Sequence, residues 1–335
     1  MMMRLTLVLA FLSFCLIFAG HVSAQTEPTD AETTDEKGAV EKTRDWLSDS
    51  VLQSATGVDS FFNTERYSWE DNKSRVTLRG NFDFVDVAGF KFKPGVKIKL
   101  AMPGFKGRMQ LIVNEGSDDG VEGGAPDANE SNAAMRFVAK STEKFAISFD
   151  LGITTRGDPT VQFFGRANLR RTFRLSRKWD GRLENRVYWY TQSKWRNDFR
   201  WYFERGFSDK FFFRSRTRFD YAQDKDSNVF PQQKFTLFQK INTRTALAYE
   251  VIAEEIFFDD SVFDRDEFLQ PCGEKCTHLQ LRLRFRQNVG YPWLFYEVWP
   301  IAAWTEERDY EFTPAVRFRL EIVLGKPPKS TRLHE

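Results

Sequence analysis

An all-β chain folded as an antiparallel transmembrane β-barrel of about fourteen strands is what this sequence predicts, on three observations. Residues 211–221, F-F-F-R-S-R-T-R-F-D-Y, hold Phe212, Arg214, Arg216, Arg218 and Asp220 on one parity and Phe211, Phe213, Phe219 and Tyr221 on the other. The same alternation returns at 279–287 and 316–324. An export signal precedes all of these segments. Successive side chains of a strand point to opposite faces, so such alternation sets one face against hydrocarbon and the other against water.

The elements follow in chain order. M-M-M-R leads into the apolar run 5–19 and then V-S-A, which reads as a secretory signal peptide over 1–24, cut before Gln25. Cys15 follows Phe14, where lipoprotein processing needs a small residue. No other run approaches the roughly 20 apolar residues of a membrane helix. Residues 25–38 are rich in Thr, Asp and Glu, with too few large apolar side chains to order themselves, and read as a flexible acidic tail. Within 39–73, Val40, Trp46, Leu47, Val51 and Leu52 recur at helical spacing. They predict one short amphipathic helix and a lead-in, the helix either resting at the barrel mouth or plugging the lumen.

Period two takes over from 74 to 325, and residues 326–335 form a C-terminal tail. Strands are expected near 74–84, 90–100, 106–115, 133–140, 144–153, 160–175, 182–192, 198–205, 210–222, 233–242, 245–256, 277–288, 293–303 and 313–324. Two are weak. The segment at 133–140 is brief, and Pro300 in the thirteenth strand cannot donate to a ladder, so twelve strands is the alternative.

N-K-S-R at 72–75, W-L-F-Y-E-V-W-P at 293–300 and R-F-R-L-E-I-V-L-G at 317–325 resemble segments of an uncharacterised group of bacterial outer-membrane β-barrels. The resemblance runs from about residue 46 onward and brings no assigned activity. It implies the bacterial outer membrane, with outer-membrane lipid, lipopolysaccharide and the barrel-assembly machinery as partners. Short connections such as S-T-E-K and N-T-R-T alternate with long polar ones at 116–132, 223–232 and 257–276, as periplasmic turns alternate with outer loops. Many such barrels end on an aromatic residue read by the assembly machinery, whereas this chain continues past Leu324 as G-K-P-P-K-S-T-R-L-H-E.

A lipid-facing arginine near the bilayer midplane costs roughly 2–4 kcal/mol, so the arginine parity should face the lumen. That gives a cationic wall of Arg166, Arg170, Arg174, Arg182, Arg186, Arg200, Arg214, Arg216, Arg218, Arg282, Arg284, Arg286, Arg317 and Arg319, opposed by Glu184, Glu204, Asp220 and Glu321. A positive tube of low dielectric attracts anions, and planar guanidiniums suit carboxylate and phosphate, so small anionic solutes are the expected cargo of an open lumen. The same residues also suit a closed barrel filled by arginine–carboxylate ladders with a structural or envelope-maintenance role. Trp179, Trp195, Trp293 and Trp304 fall at strand ends, where aromatic girdles belong.

A net charge of +2 excludes a nucleic-acid binder that works by overall charge. Cys272 and Cys276 in C-G-E-K-C suit a small loop disulfide in an exported chain. The acidic loop 115–130 lacks the spacing of a calcium loop, and no metal or cofactor is expected. His278 is the one barrel histidine, without a serine of its own inward parity nearby, so a surface hydrolase is the least favoured class and no catalytic residue is assigned.

Overall fold

The computed structural model describes residues 61–62, 74–86, 89–102, 108–115, 130–142, 144–156, 161–176, 178–223, 228–257, 275–291 and 293–325. The expected signal peptide, acidic tail, amphipathic helix, C-terminal tail and Cys272 of the expected disulfide lie outside those residues, as do most of the long loops at 116–132 and 257–276. Among the described residues no helix is long and apolar enough to cross a membrane.

Fourteen antiparallel strands close into one barrel, each bonded to its sequence neighbours and β1 to β14. In order they are β1 (Arg75–Val85), β2 (Gly89–Met102), β3 (Met109–Glu115), β4 (Glu130–Ser141), β5 (Phe145–Arg156), β6 (Val161–Arg174) and β7 (Asp180–Tyr190). The second half comprises β8 (Lys194–Gly206), β9 (Phe211–Ala222), β10 (Asn228–Lys240), β11 (Thr245–Phe257), β12 (Lys275–Asn288), β13 (Leu294–Thr305) and β14 (Thr313–Gly325). Fourteen replaces the twelve-strand alternative, and full closure leaves no open sheet edge, a requirement in hydrocarbon. Gly325, at φ +114°, meets β1 so closely that an added Cβ would stand 2.5 Å from the Ser74 carbonyl oxygen. Only glycine fits that end of the seam.

Several bounds differ from the sequence expectation. The fourth strand is not brief: Glu130–Ser141 spans 12 residues and absorbs its irregularity in a register shift between Val138 and Lys140. The eighth strand starts earlier, at Lys194, and the tenth at Asn228, so the loop expected over 223–232 shrinks to 223–227. Asn and Gln in those stretches resemble turn composition, but the neighbouring strands supply ladder partners that override it. Pro300 does not truncate β13. It stays in register with Val316 of β14, while the pairing to β12 lapses between Arg282↔Ile301 and Phe285↔Val298.

The two parities separate cleanly. Phe90, Phe92, Phe149, Leu151, Phe163, Leu281, Phe318 and Leu320 lie exposed on the outside, whereas Arg170, Arg200, Arg214, Arg284, Arg286 and Arg319 are among the most deeply buried side chains. In a soluble protein this distribution would be inverted. It fits an apolar exterior solvent and a polar interior, which is the arrangement of a transmembrane barrel. Trp195 and Trp293 are exposed near strand ends, consistent with a girdle.

Candidate functional site

The lumen wall has two parts. From β4 round through β14 to β1 it is built from arginines clamped on carboxylates. Asp150 accepts from Arg136 Nε at 2.7 Å and from Arg166 Nε at 2.6 Å. Glu204 accepts from Arg214 Nε at 2.7 Å and lies 3.4 Å from Arg182, which also reaches Glu184 at 3.1 Å. Asp198 takes Arg200 at 2.8 Å and Arg218 at 3.2 Å, and Asp220 takes Arg196 at 3.0 Å. Glu250 bridges Lys234 at 2.7 Å and Arg282 at 2.5 Å. Glu321 joins Arg286 at 2.7 Å to Arg79 at 2.8 Å, and Arg317 holds Asp83 at 2.5 Å.

Trp299 is the aromatic centre of this wall. It is fully buried, donates from Nε1 to Glu297 at 2.5 Å, and has the guanidiniums of Arg284 and Arg319 at 4.5 Å, Arg282 at 4.8 Å and Arg317 at 5.3 Å from its ring centroid. Four like charges converge on one ring face system only because each is also drawn to a carboxylate or, for Arg319, to Asn81 Oδ1 at 2.6 Å.

The expected arginine set is therefore gathered on one interior surface, but most of it is engaged. Arg170, Arg200, Arg214, Arg282, Arg284, Arg286, Arg317 and Arg319 are buried. Arg186 is buried beside Glu184 and Arg216 against Gln232, while Arg166 and Arg218 keep a small exposure, and Arg174 is half exposed at a strand end, 3.9 Å from Asp180. The charge tally read from sequence needs correction. It omitted the inward carboxylates Asp83, Asp150, Asp198, Glu250, Glu254 and Glu297 and, on the other side, the inward cations Arg79, Arg136, Arg196 and Lys234, so the wall holds more ion pairs than the sequence count suggested. Asp198 shares the parity of Arg200 and was legible on that ground.

The second part of the wall is β1 to β3. Register places Lys99 opposite Arg75, Lys97 opposite Thr77, Lys93 opposite Asn81 and Lys91 opposite Asp83, all on the inner face, and all four lysines are partly exposed. On the far side Lys97 faces Asn114 and Lys99 faces Ile112. The sequence carries the signal for these lysines, which alternate with Phe90, Phe92, Ile98 and Leu100.

His278 lies within the paired wall, buried, with Nδ1 3.1 Å from Glu254 Oε1 and Thr305 opposite it in register. No group of His, Cys, Asp and Glu suited to a metal ion occurs among the described residues.

No family model matches this chain, and no curated protein is significantly similar to it. Among solved structures it is similar to the CymD monoaromatic hydrocarbon channel, at 9% identity and a TM-score of 0.43 over 76% of this chain and 88% of that one. It is likewise similar to the outer membrane protein OprD from Pseudomonas aeruginosa, at 9% identity and a TM-score of 0.42 over 78% and 96% of the two chains. The KdgM porin aligns at 5% identity and a TM-score of 0.33 over 73% and 98%.

Proposed function

We propose that this chain is an exported outer-membrane pore whose lumen favours small anionic solutes. The observation that carries the reading is the uneven wall: the β1–β3 arc sets Lys91, Lys93, Lys97 and Lys99 toward the lumen with partial exposure, whereas the arginines of the other strands are mostly buried. Field lines concentrate in a narrow tube of low dielectric, so even a one-sided stripe of cations raises the local anion concentration. Arg166, Arg174 and Arg218, which retain some exposure, extend that field. The buried arginines, including Arg214, Arg284 and Arg286, act on solute through the frame they hold rigid. Outer-membrane lipid and lipopolysaccharide would meet the apolar outer face, and the assembly machinery would insert the strands.

A second reading is favoured by one observation, the near-complete burial of Arg170, Arg200, Arg214, Arg284 and Arg286 in a connected ion-paired lining. A lining of that kind suits a closed barrel with a structural role. Planar-bilayer recording under a salt gradient separates the two. Discrete conductance steps with a reversal potential biased toward the anion are expected, and Lys91→Gln, Lys93→Gln, Lys97→Gln and Lys99→Gln together should move that potential toward zero. Silence from correctly folded protein would favour the closed barrel.

A further inference from the structure

Phe61 and Phe62 precede β1 in sequence, yet their side chains are buried at 8% and 1% exposure within the cluster formed by Phe212, Phe238, Ala246, Ala248 and Phe295. Those residues share one end of the barrel: Phe212 opens β9, Phe238 is near the close of β10, Ala246 and Ala248 open β11, and Phe295 opens β13. Arg75 and Gly325, the first and last strand residues, pair at the same end. All five mouth residues belong to the inward parity, so the two rings enter the tube and do not lie on its outer face.

The seat is specific. Phe61 meets Phe295 edge-on with centroids 6.1 Å apart, and Phe62 meets Phe238 at 5.3 Å. Arg284 stands 5.0 Å from the Phe62 ring and Arg286 5.9 Å from the Phe61 ring. These two guanidiniums are the ones that bind Glu297, so the rings are stacked on charged groups of the paired wall. A permeating anion leaving the lumen at this end would meet an apolar constriction, which opposes the passage of a hydrated ion.

We infer that Phe61 and Phe62 form a self-supplied plug that seals the terminal mouth of the lumen on the β9–β13 side and must leave its seat for the pore to conduct fully. Burying two phenylalanine rings, with aromatic and cation–π contacts added, favours the seated state by on the order of a hundredfold. The seal rests on the pore reading only for its effect on current. Its existence is testable separately.

The test uses the full chain in a Cys272→Ser, Cys276→Ser background with Ala248→Cys as a reporter, since Ala248 is fully buried beneath the rings. Labelling by a water-soluble maleimide in proteoliposomes is measured with native Phe61 and Phe62, with Phe61→Ala/Phe62→Ala, and with Phe61→Leu/Phe62→Leu. The alanine pair should accelerate labelling on the order of a hundredfold, and the leucine pair should restore much of the protection. The two variants differ from their shared background only at 61 and 62, outside every strand, and circular dichroism confirms the β-barrel in each. Equal labelling with and without the rings overturns the plug. Conductance is then recorded for the same proteins: larger steps in the alanine pair support plug and pore together, whereas faster labelling with silence in all variants keeps the plug and overturns the pore.

Discussion

The β2 stripe and the β12 stripe carry similar numbers of cations but differ in how deeply they bury them. On β12, Arg282, Arg284 and Arg286 alternate with Leu281, Leu283 and Phe285, and every guanidinium reaches a carboxylate on β11, β13 or β14. On β2, Lys91, Lys93, Lys97 and Lys99 alternate with equally apolar partners, stand in register with Asp83, Asn81, Thr77 and Arg75 of β1, and keep partial exposure. Residue chemistry follows the neighbours. Arginine's planar fork suits fixed bidentate pairing inside a packed wall, and lysine's compact, strongly hydrated ammonium suits a wetted one. A barrel thus divides its lining into a stiff arc and a responsive arc without any change of fold.

The largest effect should come from breaking the stiff arc on one side of a pair. Glu297 is buried among Arg284, Arg286 and Trp299 Nε1, so Glu297→Ala leaves uncompensated buried cations and should cost about 3–5 kcal/mol in reversible urea unfolding from vesicles. A loss under about 1 kcal/mol would mean that water already reaches these groups, contrary to a packed lining. The corresponding change in the responsive arc, Lys97→Gln, should alter stability by no more than about 0.5 kcal/mol.

Next in size is the removal of both partners. Arg214→Met with Glu204→Met deletes a buried pair while preserving net charge, and should be neutral or stabilising by about 1–4 kcal/mol. The reversal potential of such a protein should match the parent, while the four-lysine variant shifts it. If the pair deletion moved selectivity as far as the lysine changes do, the division into two arcs would fail.

Much of this barrel was readable because its physics is local. Alternation at period two along 211–221, 279–287 and 316–324 placed the strands and their inward faces, and the rule that arginine avoids hydrocarbon chose which face was which. What escaped was whatever depends on a partner distant in sequence. Glu250 and Glu297 gain their meaning only once β11, β12 and β13 lie side by side, and Trp299 reads as one more strand aromatic until its four arginines surround it. Phe61 and Phe62 carry no periodic signal at all, since their seat is assembled from β9, β10, β11 and β13.

The smallest effect concerns the one seam in the stiff arc where the ladder lapses. Pro300 has no N–H to offer β12, and the pairing lapses opposite Leu283 and Arg284, with unchanged register on either side, although β13 remains paired with β14. An outward groove of about 590 Å³, lined by Leu281, Leu283, Pro300 and Ala302, sits over that lapse. Pro300→Ala supplies the missing donor and should gain roughly 0.5–1.5 kcal/mol for the hydrogen bond, set against roughly 0.4–1 kcal/mol lost because the unfolded chain becomes freer. The net gain should therefore be under about 1 kcal/mol. The sharper readout is amide exchange: the new residue 300 amide should be as protected as that of Val298 if β12 is close enough to accept it. Fast exchange at residue 300 would show that the two strands are physically parted, and the wall beside Trp299 would then be a weak seam within the stiff arc.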